Sequence, residues 1–510
     1  MSTTLEFFSC EKIKSPHRLV AEFKQVFSSV EAKSLPTYLR YLDTFDWRLY
    51  ERNWVLEALG EGQEIQLTWR HLDTGELHGI AWTDAMPAFP QDLPKGSHWA
   101  LLGTALGIRA LMPVACHEIA GQRITLRNNE RKTVVTIASY SVNDSALARI
   151  RGIRGFEKEY RKALEVIQSH CRKVNIDPAR EALEGKERKP EGYHPKPPSN
   201  RDPSIRTDRI CKEILLHLVQ VMCENEPGIR QKIDTEFLHD FRVAIRRGRS
   251  LLGQVKGIFP KPREQRFRRE LAWLQEMTGP LRDMDVHLLD FGQLQRQLPE
   301  GERQDLLPMR AFLADRQHEA HENLTRVLDS ARYRNFIRDW RAFLEEPMPS
   351  HTSLSNASIP IGEIARKRIW KLFREAIREG EAITDASPAE NLHELRKTCK
   401  KLRYLMEFFG GLFPAEKLDT MIKALKVLQD NLGTYQDLQV QQESLLEFRK
   451  SMEEKGTLID TTDSAMAALV TLFARRERVV RDEFSARFEI FSDNKNQKLF
   501  KTLFRPRAKP

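Results

Sequence analysis

Two stretches of the chain decide its fold: LHDFRVAIRRGRSLL at residues 238–252 and LHELRKTCKKLRYLM at residues 392–406. Both contain the pattern H-x-x-R-x-x-x-[RK]-[RK]-x-R, displaced by 154 residues. Further pairs match at the same displacement: Phe259-Pro260 and Phe413-Pro414, Leu274-Gln275 and Leu428-Gln429, Gly279 and Gly433, Asp283 and Asp437, and Val286 and Val440. A match of this length without a gap indicates an internal duplication. We therefore predict two copies of one helical unit, repeat one at 204–345 and repeat two at 358–505.

In both copies a cationic stripe runs directly beside an apolar stripe of the predicted helix. The apolar stripes consist of Leu238, Phe241, Ile245 and Leu252 in repeat one and of Leu392, Leu395, Cys399 and Met406 in repeat two. A cationic stripe that adjoins the core face borders a groove or pore rather than bulk solvent. Arginine donors match phosphate oxygens, and clustered cations repel one another unless an anion relieves them. The alternative is a solvated face with i,i+4 salt bridges, but the same spacing in two copies favours an anion site.

The composition limits the remaining possibilities. A chain of 510 residues is expected to form about two to four domains, and its formal net charge of +10 points to acidic partners. Because it has neither a long uncharged apolar run nor the pattern of a secretory signal, we expect no membrane association. The six cysteines are far apart and show no metal-binding spacing, so we expect reduced thiols in a cytoplasmic protein.

The pattern of the sequence changes near residue 185. Before it, EIQLTWRHL (64–72), QRITLRNN (122–129) and KTVVTIASYSV (132–142) alternate with the period of β-strands, and residues 156–173 predict one closing helix. Residues 185–203 are polar, charged and proline-rich, which is typical of a linker. Beyond the linker, nearly every segment has helical periodicity. We predict a multidomain α+β protein, with a domain at 1–184, a linker at 185–203 and an all-helical domain at 204–505.

On these motifs the sequence resembles the CHAD family, the conserved-histidine α-helical domain. The two quoted helices are similar to its signature helices, and TGPLRDMDV (278–286) is similar to its G-x-x-R-D-x-D-V segment. The resemblance covers residues 204–505 and implies two pseudo-symmetric four-helix bundles around a basic central cavity that binds polyphosphate. The binding residues that it implies are His239, Arg242, Arg246, Arg247, Arg249, His393, Arg396, Lys400, Lys401 and Arg403. Lys367, Arg368 and Lys371, on the helix that opens repeat two, are secondary candidates.

Asp283 and Asp437 occupy the same position of the two repeats, but the segments around them differ. Repeat two reads G-T-Y-Q-D-L-Q where repeat one reads G-P-L-R-D-M-D. We therefore interpret the two aspartates as helix caps or as partners that orient arginine, and not as a pair of metal ligands.

The N-terminal half resembles the CYTH family of triphosphate tunnel enzymes, on YLDTFDWRLYERNWVLE (41–57), IQLTWR (65–70) and RGFEKEY (154–160). This resemblance implies an antiparallel β-tunnel in which hydrolysis requires inward-facing arginines and an E-x-E-x-K strand whose glutamates hold a divalent metal. Here Glu6 is the only remnant of E-x-E-x-K, and Leu56-Glu57-Ala58-Leu59 stands where L-R-x-R is expected; Arg70 takes the place of the lysine in L-T-x-K. We predict a degenerate tunnel domain with no catalytic residues, no metal and no cofactor.

The leading functional hypothesis is a non-enzymatic protein that binds inorganic polyphosphate, in the cytoplasm and at polyphosphate granules. One alternative is a metal-dependent tripolyphosphatase that uses the N-terminal tunnel, and the missing acids count against it. Another is nucleic-acid binding, because cationic stripes also suit a phosphodiester backbone. Proteins that bind single strands usually interleave aromatic residues with the cations, whereas Tyr404 is the only aromatic residue beside these stripes.

Overall fold

The chain divides into two compact units, Met1–His194 and Pro195–Pro510. The computed structural model describes residues 4–10, 16–35, 37–61, 64–142, 145–174, 177–184, 192–197, 202–349 and 351–506. The division falls within the segment 185–203, which the sequence predicts to be a linker, and most of that segment lies outside the described residues. The boundaries of the predicted domains, 1–184 and 204–505, remain predictions.

The N-terminal unit is built mainly from antiparallel strands. In chain order its elements are β1 (Leu5–Ser9), α1 (Pro16–Val26), β2 (Ser29–Ser34), β3 (Tyr38–Thr44), β4 (Trp54–Glu61), β5 (Glu64–His71), β6 (Leu77–Thr83), α2 (Ser97–Leu106), β7 (Leu111–Glu118), β8 (Ala120–Arg127), β9 (Thr133–Val142), β10 (Ser145–Gly152), α3 (Glu157–His170), β11 (Arg172–Lys173) and α4 (Pro178–Glu184). The strands predicted at 64–72, 122–129 and 132–142 are β5, β8 and β9, and the predicted closing helix is α3.

Two sheets make up this unit. One has the strand order β11-β1-β10-β9-β8-β2, and the other has the order β6-β5-β4-β3-β7. Apolar residues of the first sheet, such as Phe8 and Ile150, pack against Leu19 of α1 and Ile167 of α3. The opposite face of this sheet meets the second sheet, because Arg149 of β10 contacts β4. The antiparallel β-architecture predicted for the N-terminal half is confirmed.

Cys10 and Cys171 form a disulfide, with their Cα atoms 4.3 Å apart. The expectation of reduced thiols is therefore wrong for this pair. The two residues are 161 positions apart in sequence, but antiparallel pairing of β1 with β11 brings the ends of both strands together. Sequence spacing could not show this contact. The cysteine pattern consequently gives no support to a reducing compartment.

The second unit is helical. Its elements are α5 (Thr207–Arg230), α6 (Thr235–Gln254), α7 (Lys261–Met277), α8 (Gly279–Gln295), α9 (Leu307–Leu328), α10 (Ala331–Glu345), α11 (Ile361–Glu381), α12 (Ala389–Phe408), α13 (Ala415–Glu454), α14 (Asp460–Asp482), α15 (Phe484–Ser492) and α16 (Asn494–Phe504). None of the helices in the described part of the chain is both long enough and apolar enough to cross a membrane.

The helix boundaries repeat with the displacement found in the sequence. The helices α5, α6 and α7 begin 154 positions before α11, α12 and α13, respectively. The copies differ at one point, because α7 ends at Met277 and α8 starts at Gly279, whereas α13 continues without a break. Repeat one has Pro280 there and repeat two has Thr434. Proline has no backbone N–H and favours the first turn of a helix, so it starts α8 as a new helix.

Each repeat packs its own helices, and the two repeats also share a core. In repeat one, Phe267 of α7 lies 4.1 Å from Trp340 of α10 between ring centroids. In repeat two, Phe373 of α11 stacks on Phe500 of α16 at 3.9 Å. A further apolar cluster combines α8 and α9 with α13 and α14, and Phe448 lies within it. The fold class predicted for this half, an all-helical duplicated domain, is confirmed.

Candidate functional site

The helices α6 and α12 carry the two cationic stripes. The helix α6 begins after Asp234, whose carboxylate accepts hydrogen bonds from the backbone N–H groups of Glu236 (2.9 Å) and Phe237 (3.3 Å), as a helix N-cap does. The predicted apolar stripes are buried: Leu238, Phe241, Ile245, Leu252, Leu392, Leu395, Cys399 and Met406. Burial of these faces fixes the rotation of both helices, and with it the direction of the neighbouring cations.

Cations of the two repeats come together at Arg246. Burial lowers the pKa of Arg242, Arg396 and Lys400, and the positive charge of Arg246 contributes to the same shift in all three. We call Arg242, Arg246, Arg396 and Lys400 the cationic cluster. Residues of both stripes therefore lie close enough for their charges to interact.

In repeat one, Arg242 is anchored by neutral partners. Its Nη1 donates to the carbonyl oxygen of Gln275 (2.9 Å) and to Oγ1 of Thr278 (2.8 Å). Burial lowers the pKa of Arg242 to about 10; the carboxylate of Asp283 opposes this shift, and the charges of Arg246 and Arg282 add to it. The guanidinium is thus held in place while much of its charge remains uncompensated.

In repeat two, Arg396 has a carboxylate partner. Its Nη2 lies 3.4 Å from Oδ1 of Asp437, so Asp437 is a partner of arginine, one of the two roles predicted for it. Burial, together with the charges of Arg396 and Arg246, lowers the pKa of Lys400 to about 8. Nδ1 of His393 lies 2.6 Å from Oε1 of Gln436. Lys400 therefore has an appreciable neutral fraction near pH 8, because one carboxylate cannot offset its cationic neighbours.

Arg247 and Arg403 form a second group, joined by Glu407. Arg247 is buried; its Nη1 donates to the carbonyl oxygen of Pro195 (2.9 Å), and its Nη2 lies 3.3 Å from Oε2 of Glu407. Nε of Arg403 lies 3.3 Å from Oε1 of the same carboxylate, and its Nη1 donates to Gln429 (3.1 Å). This pair already has an internal anion.

The other predicted residues have different surroundings. Lys401 lies near Glu379 of α11; burial raises the pKa of Glu379, and the charge of Lys401 opposes this shift. Arg368 of α11 donates to Oε1 of Gln254 at the end of α6 (2.9 Å). His239 is half-buried, and Arg249, Lys367 and Lys371 are exposed. The roles predicted for all these residues remain predictions.

Arg282 and Glu407 belong to the surroundings of the site but are absent from the predicted set. Arg282 adds its charge to the environment of Arg242. Its signal was present in the sequence, because it is the arginine of the segment G-x-x-R-D, and repeat two has Gln436 at that position. Glu407 gives no such signal, since its contact with Arg247 crosses between the repeats.

A cavity of about 1060 Å³ opens between α8, α9, α13 and α14. Carboxylates predominate among its charged lining residues: Glu276, Asp283, Asp290, Glu319, Asp437 and Glu447, with Arg316 and Arg476. None of the predicted binding cations lines it. This cavity is therefore not the basic cavity that the resemblance implies. Two of its lining carboxylates, Asp283 and Asp437, interact with Arg242 and Arg396 of the cationic cluster.

The N-terminal unit contains a buried ion network between its sheets. Glu57 of β4 accepts hydrogen bonds from Arg70 of β5 (2.6 Å) and from Arg149 of β10 (2.6 Å), and Arg70 also pairs with Asp177. Burial alone would raise the pKa of Glu57, but the charges of Arg70 and Arg149 hold it below its usual range. Two arginines and two carboxylates thus compensate one another.

The space between the two sheets also contains arginines that do not belong to the expected L-R-x-R motif. Arg151 lies two positions after Arg149 on β10 and therefore on the same face of the strand. Arg123 of β8 donates to Gln66 of β5 (2.5 Å). Burial and the charge of Arg149 lower the pKa of both Arg123 and Arg151. The loss of L-R-x-R therefore does not leave the interior without cations, because other strands supply them.

Glu6 lies on the outer side of the first sheet. It is paired opposite Ile150, which packs against α1 and α3. Its carboxylate accepts hydrogen bonds from Tyr160 (2.5 Å) and Lys173 (2.6 Å). Within the described residues, no group of three or more His, Cys, Asp and Glu side chains is placed to hold a metal ion.

The comparisons with known proteins concern mainly the helical unit. Residues 213–446 match the CHAD domain family. An uncharacterized protein of Mycobacterium tuberculosis is 27% identical over 219 residues; the match spans 41% of this chain and 40% of the relative. The CHAD domain from the plant Ricinus communis is 22% identical, with a TM-score of 0.49, over 58% of this chain and 96% of that chain.

A putative adenylyl cyclase from Hippeastrum, described as having a dominant triphosphatase activity, is 12% identical, with a TM-score of 0.27, over 38% of this chain and 100% of that chain. Neither structural similarity reaches a TM-score of 0.5, so the assignment depends on the sequence match at 213–446. That range includes both α6 and α12, with the two cationic stripes. Over residues 213–446, the helical unit of this chain is similar to the CHAD domain family.

Proposed function

We propose that the helical unit binds inorganic polyphosphate, a linear polyanion, through the cationic cluster. The observation that supports this most directly is the convergence of four cations from two repeats, with the pKa of Lys400 lowered to about 8. Such a cluster is destabilised by its own repulsion, and a bound anion would relieve it. Polyphosphate is also the ligand that the resemblance to the CHAD family implies.

An extended anion suits this surface better than a single phosphate. The cationic cluster draws residues from both repeats, and Arg403 lies close enough to Lys400 for its charge to lower the pKa of that lysine. An anion with charges repeated along its length can contact several of these positions at once. Binding should then weaken steeply as salt rises, by analogy with counterion release from nucleic acids.

Single-stranded nucleic acid fits the site less well. The ring of Tyr404, the one aromatic residue beside the stripes, stacks on Phe408 with ring centroids 6.4 Å apart, and the guanidinium of Arg403 lies 5.9 Å from its centroid. Stacking of bases on aromatic rings is a main source of affinity for single strands. A ring that already has these neighbours offers little for a base.

We also propose that the N-terminal unit is not a phosphohydrolase. Glu6 lies on the outer side of the first sheet and accepts hydrogen bonds from Tyr160 and Lys173, while Glu57 is paired with two arginines. Neither carboxylate is available to hold a divalent metal in that arrangement. A tripolyphosphatase would release phosphate from tripolyphosphate with magnesium or manganese, and we expect none. As part of the same proposal, the protein acts in the cytoplasm, at polyphosphate granules.

The test is fluorescence anisotropy of labelled long-chain polyphosphate with the full chain, competed with single-stranded RNA of matched charge. The informative variant changes Arg246, Arg396 and Lys400 to Glu. Its matched control changes Lys495, Lys498 and Lys501 to Glu, which are exposed on α16 and give the same change in net charge. We leave Arg247 intact because its contacts are structural as well as electrostatic.

We expect tight binding that survives the RNA, is lost in the cluster variant and is retained in the control. Equal competition by RNA would make the site a general polyanion or nucleic-acid site. Equal loss in both variants would mean that net charge alone drives binding. Absence of binding by the unmodified chain would contradict the proposed function.

A further inference from the structure

Glu407 places a carboxylate between two of the predicted binding arginines. One oxygen lies 3.3 Å from Nη2 of Arg247 on α6, and the other lies 3.3 Å from Nε of Arg403 on its own helix. The side chain of Glu407 is 31% exposed, and that of Arg247 is 8% exposed. The carboxylate thus contacts both repeats and still reaches the surface.

A carboxylate and a phosphate group compete for the same guanidinium donors. Both arginines have a second, neutral anchor: Arg247 donates to the carbonyl oxygen of Pro195, and Arg403 donates to Gln429. These anchors would hold the two guanidinium groups in place if the carboxylate of Glu407 turned outward. A phosphate oxygen could then take the vacated position without rebuilding the site.

The two arginines adjoin the cationic cluster. The charge of Arg403 acts on Lys400, together with the charges of Arg396 and Arg246. A chain of phosphates bound at the cluster therefore has Arg403 next along α12, one helical turn beyond Lys400. Its further extension meets the carboxylate of Glu407.

We propose that Glu407 is an internal competitor of the polyanion, which occupies Arg247 and Arg403 in the free protein and must be displaced when a phosphate chain binds there. This proposal rests on the proposed function, because it concerns the same ligand and the same surface. Glu407 would limit affinity rather than contribute to it, and it would select anions long enough to span the cluster and the displaced carboxylate.

The experiment compares Glu407→Gln with the unmodified chain, using labelled long-chain polyphosphate. Glutamine keeps the size and the hydrogen-bonding oxygen but removes the charge. We expect the affinity to rise about five- to tenfold. The matched control is Glu394→Gln on the same helix, which removes the same charge from an exposed pair with Lys397 and should leave the affinity nearly unchanged.

A double-mutant cycle with Arg403→Gln separates local competition from general repulsion. If Glu407 competes for Arg403, the gain from Glu407→Gln must shrink when Arg403 is absent. A gain in affinity of equal size with and without Arg403, or an equal gain in Glu394→Gln, would overturn the proposal. Unchanged or weaker binding by Glu407→Gln, together with a lowered melting temperature, would also overturn it, because that result is expected if Glu407 has a purely structural role. No binding by any of the proteins would overturn the proposed function and this inference together.

Discussion

Two clusters of buried or half-buried cations, one in each unit, are compensated in opposite ways. In the N-terminal unit, Arg70 and Arg149 are paired with Glu57, and Asp177 completes the network. In the helical unit, Arg242 is held by a carbonyl and a hydroxyl, and Lys400 faces mainly other cations. The first arrangement is compensated within the chain, whereas the second leaves positive charge in excess. The difference teaches that the charge of the groups around a buried cation, and not the presence of arginine, separates the two cases.

The same contrast extends to covalent structure. The N-terminal unit is closed by the bridge between Cys10 and Cys171, and in the helical unit Cys211, Cys223 and Cys399 are not part of a disulfide. A cross-linked, charge-compensated unit is suited to a fixed scaffold. A unit with uncompensated positive charge is suited to binding an anion. The four predictions below test this contrast in order of expected size.

The largest effect is expected from Cys10→Ser. The bridge closes a loop of 161 residues, so its loss should lower the free energy of unfolding of the N-terminal unit by up to about 5 kcal/mol in the chain-entropy account. Calorimetry of the full chain, with hydrogen exchange at β9 and β10, measures this. The control is Cys116→Ser, an exposed free thiol in the same unit. If both variants and the unmodified chain had the same melting temperature, the disulfide would not stabilise the N-terminal unit.

A similar loss is expected from Glu57→Gln, which leaves two buried arginines short of one negative charge. Breaking a buried ion pair typically costs about 3–5 kcal/mol, and polyphosphate affinity should not change. Because the pKa of Glu57 is lowered in the folded protein, the stability that it contributes is present above its unfolded pKa and is lost as pH falls through the folded pKa. Chemical unfolding across pH measures both effects, with Glu31→Gln, at an exposed pair with Arg127, as the control. A variant as stable as the control would contradict a compensated network.

The opposite pattern is expected from changing Arg246 and Lys400 to Ala together. Polyphosphate binding should weaken by about 2–3 kcal/mol, or roughly 30- to 150-fold. Stability should stay the same or rise, because repulsion with Arg396 is removed. Titration calorimetry and thermal unfolding of the same samples measure the two quantities. A loss of stability comparable with that of Glu57→Gln would make the cluster structural and erase the contrast between the units.

The smallest effect concerns pH. The pKa of Lys400 is about 8 in the free protein, and a bound polyanion should raise it. Binding above pH 8 must then take up a proton, so affinity should fall by up to about tenfold between pH 7 and pH 9. Lys400→Arg should flatten this dependence, since arginine stays protonated. An unchanged slope in that variant would assign the pH dependence to another group.

Much of the helical unit could be predicted from the sequence because its pattern is local. The starts of α6 and α12 follow from one repeated motif, and the stripe of Leu238, Phe241 and Ile245 is buried as its spacing requires. The cations beside that stripe then had to border the packed interior. Helical periodicity places such residues within a few positions of one another, so a single helix suffices for the argument.

The candidate site could be predicted only in part. The sequence places Arg246 and Arg247 next to each other and suggests one role for both, but Arg246 is exposed and joins the cluster, whereas Arg247 is buried against Glu407. Neighbouring residues on a helix point about 100° apart, so one can face the site while the other faces a helix of the other repeat. The identity of that partner depends on how the repeats pack.

By itself, the sequence determined the duplication, the helical and β-strand halves, and the adjacent apolar and cationic stripes, because each of these is a pattern of period two, of period 3.6 or of displacement 154. Only the tertiary structure decided that Cys10 meets Cys171, that Arg149 meets Glu57, and that Glu407 stands between Arg247 and Arg403. Most of these contacts join residues that are far apart in the chain. Their closeness is set by strand register and helix packing, which no local pattern encodes.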